Sequence, residues 1–223
     1  MSIDCYYGAY ARFDTVSKRD AAVLIGSDCI VGDTFDIQFR PYKGSTRAWI
    51  VNAFGTDIGF LDEKTSHRLN VLAAREWTLH AILSCIAFTD QPEPGMYWGE
   101  VALLCYDRSH ESDFDTFVTE TAKLIGKGIR PKVDLETQGI ASIIQSHGTW
   151  QPKQRVPFPD TNKNTAIIKK SRGTLDFLVQ KSREGNKGCY VLSWLFLLGL
   201  VALAVFALKG CGVFLIQQAV YHP

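Results

Sequence analysis

The chain has 223 residues, of which 46% are hydrophobic and 21% are charged, and its formal net charge is +1. This is the composition of an ordinary globular protein, and it excludes a collagen-like, low-complexity or wholly disordered chain. The charge is unevenly distributed: residues 1–160 carry −5, residues 161–188 carry +5, and residues 189–223 contain one charged side chain, Lys209. An acidic body, a basic neck (residues 161–188) and an almost uncharged end indicate contact with a membrane.

The first half of the chain predicts strands, because its apolar runs are short and are separated by turn residues. The expected strands cover residues 21–25, 29–31, 35–39, 48–54, 58–61, 78–88 and 97–106. Within this half, one segment has apolar residues at helical spacing, and there Asp62 can cap a helix that extends through Ala73. We therefore expect an α+β fold in which residues 1–107 form a small antiparallel β-barrel or a strongly curved sheet.

Residues 49–72 contain a strand, a turn, the strand Ile-Gly-Phe-Leu at residues 58–61 and then a short helix. This run resembles the centre of HIRAN domains, where a long strand and its hairpin partner follow, as residues 78–88 and 97–106 do here. The resemblance covers residues 20–107. It implies a small barrel related to OB-folds, and some members of the family bind single-stranded DNA ends.

Four residues before the strand at 48–54 form a candidate nucleic-acid site; they are Arg40, Tyr42, Lys43 and Arg47. A tyrosine ring can stack on a base, and the three cations can contact phosphates. The HIRAN family has an Asn-Pro-Tyr-Asp loop here, whereas this chain has Arg-Pro-Tyr-Lys and lacks the aspartate. Residues 1–107 also contain 9 basic and 14 acidic residues, a balance that opposes phosphate binding. The other interpretation of this segment is a solvated turn between strands.

Residues 108–148 predict a helical hairpin that packs on the sheet, since two short helices are joined by a Gly/Pro turn. Ser112 and Asp115 resemble a capping box for the first helix, and Asp134 can cap a second helix that extends to about His147. The following residues 149–188 contain prolines and then basic residues, so we expect a linker there.

Residues 189–208 predict one transmembrane helix, because twenty uncharged, mostly apolar residues span roughly 30 Å as a helix. Six basic residues of the neck are expected at the membrane surface; they are Lys169, Lys170, Arg172, Lys181, Arg183 and Lys187. The positive-inside rule then places the N-terminal body in the cytoplasm and the tail, residues 209–223, outside. The first residues lack the apolar segment that is typical of a signal peptide.

No residue set in the sequence specifies a reaction. It has no Gly-x-Ser-x-Gly motif, no phosphate-binding loop and no cluster of cysteines and histidines with metal-ligand spacing. We therefore expect no catalytic residue, no metal site and no cofactor. The cysteines are expected to be small buried hydrophobic residues in a reducing compartment.

The sequence as a whole predicts a membrane-anchored cytoplasmic binding or adaptor module that is not an enzyme. Its expected partners are membrane lipids, through residues 189–208 and the basic neck, and a protein of unknown identity. Two alternatives stay open. One is a HIRAN-type domain that binds nucleic-acid ends and is tethered to the membrane, and the other is a membrane-anchored enzyme whose catalytic residues the sequence does not reveal.

Overall fold

The computed structural model of the chain describes residues 5–16, 21–26, 28–93, 95–161, 163–173, 196, 197 and 200. The chain divides into two compact units, Met1–Asp176 and Phe177–Pro223, and the first contains the barrel and its helices. Most of the predicted transmembrane segment, 189–208, and all of the tail, 209–223, lie outside the described residues. Within the described ranges, no helix combines the length and the apolar character needed to cross a bilayer.

The described residues form seven strands and four α-helices. The strands are β1 (Tyr6–Asp14), β2 (Thr34–Tyr42), β3 (Ser45–Val51), β4 (Asp57–Leu61), β5 (Thr78–Thr89), β6 (Met96–Tyr106) and β7 (Thr165–Lys169). The helices are α1 (Ala21–Ile25), α2 (Glu63–Ala74), α3 (Glu111–Gly126) and α4 (Thr137–Gln145), and a 3-10 turn (Arg108–His110) precedes α3. The α+β class is therefore confirmed.

Six antiparallel strands close into a barrel, as the sequence predicted. The strand order is β2-β3-β4-β1-β6-β5-β7, and pairing of β2 with β5 closes the ring. One edge of β5 pairs with β6. The other edge pairs with β2 at Ala81 and, beyond an irregularity in the strand, with β7 at Ala87. Two contacts in the ring are equally narrow, with two residue pairs each: β1 with β4, through Phe13–Leu61 and Asp14–Phe60, and β2 with β5.

Two apolar clusters lie on opposite sides of the sheet, because successive strand residues point to opposite faces. The barrel interior contains Phe13 and Leu83, and α2 covers it with Leu69. The second cluster lies under α3 and α4 and includes Ile82 and Phe117. The alternation of Ile82 and Leu83 between the clusters shows why β5 is apolar on both faces.

Two strand predictions in the N-terminal part are wrong, and one strand was missed. Residues 21–25 form helix α1 rather than a strand, and residues 29–31 are buried but belong to no strand. A short apolar run has the same pattern in a buried helix, a strand or a buried loop, so periodicity cannot separate them. Strand β1 was not predicted, because its small residues, such as Gly8 and Ala9, are weak strand formers.

The helix starts agree with the sequence for α2 and differ from it for α3 and α4. The Asp62 side chain accepts a hydrogen bond from the Thr65 backbone N–H at 3.0 Å, as predicted. Helix α3 begins at Glu111, because Asp107 caps the 3-10 turn that leads into it and leaves Ser112 inside the helix. The residue before α4 is Glu136, so Asp134 does not cap that helix.

The described part of residues 149–188, expected to be a linker, packs on the body. Pro152 is buried, and the backbone N–H of Val156 donates to the carbonyl of Arg130 at 2.8 Å. Residues 165–169 form β7 on the edge of β5. Pairing satisfies backbone groups that the edge of β5 would otherwise leave to solvent, and this stabilises a short strand after the proline-rich stretch.

Candidate functional site

The hairpin of β2 and β3 brings the predicted site residues to one face of the barrel. Its two turn residues, Lys43 and Gly44, both have positive φ, as a two-residue hairpin turn requires. Arg40 is directly opposite Arg47, and Tyr42 is opposite Ser45. Opposed residues of an antiparallel pair share a face, so both arginines and the tyrosine lie on the same outer side.

Two of the three predicted phosphate-binding cations are paired with carboxylates. The Arg40 guanidinium donates to both oxygens of Asp57, and this hydrogen bonding raises the pKa of Arg40. Arg47 donates to Glu63 at 3.2 Å. Lys43 forms no ion pair with the described residues and lies with its Nζ 5.2 Å from the centre of the Tyr42 ring. The three cations therefore do not form one uncompensated patch.

Three aromatic rings from β2, β3 and β4 form a cluster that we call the aromatic face: Tyr42, Trp49 and Phe60. The centre of the Tyr42 ring is 5.6 Å from Trp49 and 4.7 Å from Phe60, and the last two are 5.4 Å apart. The Arg40 guanidinium lies 4.9 Å over Trp49. Sequence reasoning missed Trp49 and Phe60, although Trp49 alternates with Arg47 along β3 and so had to share its face.

A groove of about 260 Å³ adjoins the aromatic face and is lined by Val16, Trp49, Asp57, Ile58 and Gly59. Val16 at its rim is 49% exposed. The indole N–H of Trp49 is buried and has no hydrogen-bond acceptor among the residues that the structure covers. A buried donor without an acceptor lowers the free energy of unfolding by about 1–3 kcal/mol. The indole N–H is therefore the group on this face that would gain most from a hydrogen-bond acceptor supplied by a partner.

A second and larger groove, of about 560 Å³, lies between β1 and α2; we call it the α2 groove. Its basic lining residues are Lys64, His67, Arg68 and Arg75, and its aromatic and apolar lining residues are Tyr6, Tyr7, Val71, Leu72 and Trp77. The Arg68 guanidinium lies 5.0 Å over the Tyr7 ring. The sequence contained a signal for this site, because lysine and arginine in α2 are spaced so that they lie on the same face of the helix. Nothing in the sequence indicated that β1 lies next to that face.

A hydrogen-bonded group of titratable side chains links β5, β6 and α3. The Nε2 atom of His80 is 2.8 Å from the Tyr106 hydroxyl, and that hydroxyl donates to the Asp115 carboxylate. Burial lowers the pKa of His80, against the opposing effect of Asp115. Burial together with Asp115 raises the pKa of Tyr106 well above its ordinary value. These shifts favour the neutral forms of both rings, so the group serves as a fixed connection between sheet and helix.

A second buried polar group surrounds Glu100 on β6. Its carboxylate accepts two hydrogen bonds from Arg130, which is 3% exposed. Burial raises the pKa of Glu100, and the facing Arg130 opposes that shift.

Burial also raises the pKa of the Cys85 and Cys105 thiols to about 12, so neither is a reactive thiolate. No group of three or more metal-ligating side chains occurs in the described part of the chain.

Three of the six predicted membrane-surface cations can be placed, and two of them contact the body. Lys169 donates to the carbonyls of Gly26 and Cys29 at 2.7 and 3.1 Å. Arg172 donates to the carbonyl of Val31 at 2.9 Å. Lys170 is exposed. The other three, Lys181, Arg183 and Lys187, lie outside the described residues.

Comparison with known proteins yields no relative, since no family model, no curated protein and no solved structure matches this chain.

Proposed function

We propose that the chain is a membrane-anchored cytoplasmic binding module whose barrel recognises a protein partner through the aromatic face. The observation that carries this proposal is the contact of Tyr42, Trp49 and Phe60 on the outside of the sheet, next to a groove. Tyrosine, tryptophan and arginine are the residues in which binding energy concentrates at protein interfaces.

The charges around the aromatic face favour a protein over a polyanion. Arg40 with Asp57, and Arg47 with Glu63, surround the rings with charges of both signs. A partly apolar centre with a mixed polar rim is the usual arrangement of a protein interface. A phosphate-rich ligand requires cations in excess, and both arginines already have carboxylate partners.

A photo-crosslinking experiment tests this proposal. Gln38 is exposed and directly opposite Trp49, so a benzophenone amino acid at position 38 reports contacts on the aromatic face. The matched control carries the same group at the exposed Gln145, at the end of α4. In membranes that contain the full chain, we expect a discrete protein adduct from position 38 and not from position 145, with or without nuclease.

A further variant shows whether the adduct depends on the rings. Tyr42→Ser removes one ring of the cluster from a partly exposed position and should reduce the adduct from position 38. If the adduct is unchanged by Tyr42→Ser, or equally strong from position 145, the aromatic face is not the recognition surface.

The membrane anchor in this proposal is the apolar run at residues 189–208, with the basic neck on its cytoplasmic side. Protease added to intact cells should leave residues 1–188, the body and the neck, uncut, and should cut them after the cells are permeabilised. Digestion of the body in intact cells would reverse the proposed orientation.

The second candidate function is binding of single-stranded nucleic acid by a HIRAN-type domain. One observation favours it: the partly exposed Tyr42 ring lies at the tip of the hairpin with Lys43, which forms no ion pair with any residue that the structure describes. An aromatic ring beside a cation is the elementary unit of single-strand recognition. This candidate predicts salt-dependent binding of an oligonucleotide that Lys43→Gln weakens and the control Lys127→Gln does not. Absence of binding at low salt removes this candidate.

A further inference from the structure

We propose that the α2 groove binds a small phosphate-bearing ligand through Lys64, Arg68 and Arg75. This site is separate from the aromatic face, and it does not depend on the function proposed for that face.

The three cations follow one side of α2. The helix advances about 1.5 Å and turns about 100° per residue, so Lys64, Arg68 and Arg75 lie within about 40° of each other around its axis. Lys64 and Arg68 are about 6 Å apart along the axis, and Arg75 is about 10 Å further on. Positive charge therefore extends along the full length of the groove.

Among the described residues, no aspartate or glutamate lines the groove, so its positive charge has no counter-charge within that lining. Glu63, the acidic residue next to Lys64, pairs with Arg47 instead. Within the described residues, Lys64, Arg68 and Arg75 form no ion pair. Lys64 and Arg68, one helical turn apart, repel each other without a counter-charge, and a bound anion relieves that repulsion.

The shape and the lining favour a compact ligand. The volume of about 560 Å³ is within the range of small-molecule sites. Trp77 and Leu72 are each 9% exposed and, with Val71, supply apolar surface for a ring or a carbon skeleton. The Tyr7 ring is covered by Arg68, so it is not an open platform for the stacked bases of a long strand.

Arginine and lysine select phosphate for known reasons. A guanidinium group forms two parallel hydrogen bonds to phosphate oxygens, and an ammonium group adds a point charge with three donors. The ligand can be a soluble nucleotide or the headgroup of an inositol phospholipid, since both carry phosphates on a ring-containing skeleton. A lipid headgroup is compatible with the membrane anchor proposed above.

Calorimetric titration of the full chain in detergent with pyrophosphate, at constant ionic strength, tests the phosphate chemistry. The variant combines Lys64→Gln, Arg68→Gln and Arg75→Gln, all at exposed positions of α2 or its end. The matched control removes three exposed cations elsewhere, with Arg108→Gln, Lys127→Gln and Lys153→Gln. We expect the groove variant to lose affinity by about tenfold or more, because it loses charge-assisted hydrogen bonds, and the control to bind like the unmodified chain.

Three results overturn the proposal: no heat of binding from pyrophosphate, equal affinity of the groove variant, or equal loss in the control. Circular dichroism of the groove variant shows whether it is folded. If it is not, single changes at Lys64 and Arg68 are used, and each is expected to weaken pyrophosphate binding.

Two further probes distinguish the sources of the phosphate. Tighter binding of inositol trisphosphate than of adenosine diphosphate, with retention on phosphatidylcholine vesicles that contain phosphatidylinositol bisphosphate, identifies a lipid headgroup. The reverse order, without vesicle dependence, identifies a soluble nucleotide. Either order supports a phosphate site, and failure of both probes to compete with pyrophosphate contradicts a built site for a ring-bearing phosphate.

Discussion

Arg130 and Glu100 form a buried ion pair, in which one guanidinium nitrogen lies 2.8 and 2.9 Å from the two carboxylate oxygens. The side chains are 2% and 10% exposed. The same guanidinium lies 4.4 Å over the Tyr10 ring and 5.0 Å over Phe158. Arg130 thus connects β1, β6 and the segment after α4. Because both charges are desolvated, the pair restricts which segment can occupy this side of the barrel.

The first prediction concerns the loss of one member of this pair. Glu100→Leu leaves the Arg130 charge buried and alone, so we expect a loss of about 3–5 kcal/mol in the free energy of unfolding. The double change Glu100→Leu with Arg130→Leu should recover much of that loss. Chemical denaturation of the full chain measures both. The control is Lys123→Ala, which breaks an exposed pair with Glu120 and should cost about 0–1 kcal/mol. A double variant less stable than Glu100→Leu would contradict this account.

The second prediction is a pH dependence of stability from His80. Its pKa is lowered by burial, against Asp115, Asp36 and Glu111, which favour the charged form. The unfolded chain, with an ordinary histidine pKa of about 6.5, binds the proton more readily than the folded one. Stability from this residue is therefore present above about pH 6.5 and is lost as the pH falls through the lower folded-state pKa.

His80→Gln should make stability less sensitive to pH between about 7.5 and 5.5, since the amide can still bond the Tyr106 hydroxyl but does not titrate. Urea denaturation at each pH measures the slope. His147→Gln removes a histidine whose side chain is 87% exposed and is the control. An identical slope in His80→Gln and the unmodified chain would refute this assignment.

The third prediction compares two glycines. A Cβ at Gly8 would overlap the Val133 carbonyl oxygen and the Tyr6 hydroxyl, which are themselves hydrogen-bonded at 2.9 Å. Gly8→Ala should therefore destabilise the fold by about 1–3 kcal/mol, as overpacking does. Gly139 is inside α4, where the nearest atom to a Cβ, on Leu135, is 3.3 Å away. Gly139→Ala should cost less than Gly8→Ala, because only the Leu135 side chain must shift by a few tenths of an ångström and alanine favours a helix by about 1 kcal/mol. Thermal melting measures the stability of both variants, and equal shifts in melting temperature would contradict the close approach at Gly8.

The fourth prediction concerns the boundary of the folded body. A fragment that ends at residue 173 keeps β7 and the buried Pro152, and we expect it to unfold cooperatively without the rest of the chain. A fragment that ends at residue 150 loses both and leaves the β5 edge at Ala87 unpaired. It should melt at a lower temperature or without cooperativity in circular dichroism. If the shorter fragment is as stable as the longer one, residues 151–173 are dispensable for the fold.

The sequence predicted the elements whose signals are local. The helix after Asp62 was found from its cap, and β5 and β6 were found from long apolar runs with turn residues between them. The hairpin turn at Lys43 and Gly44 was also evident from its residue types. In each case the determining interaction joins residues close in the chain, so a single sequence contains it.

Residue types alone also determined the α+β class and the antiparallel barrel, and they marked Arg40, Tyr42, Lys43 and Arg47 as neighbours. They did not determine the electrostatic state of those neighbours. Asp57 and Glu63 neutralise two of the cations, and both are more than ten residues away in the chain.

Only the tertiary structure decided which distant segments meet. The pairing of β7 with β5 joins residues about eighty positions apart, and the α2 groove exists because Tyr7 and Trp77 lie beside the helix that carries Arg68. The physical reason is that periodicity and caps act over a few residues, whereas strand pairing, burial and charge compensation depend on which surfaces the closed barrel brings together. The local elements followed from the sequence, and the sites that they form followed from the closure of the barrel.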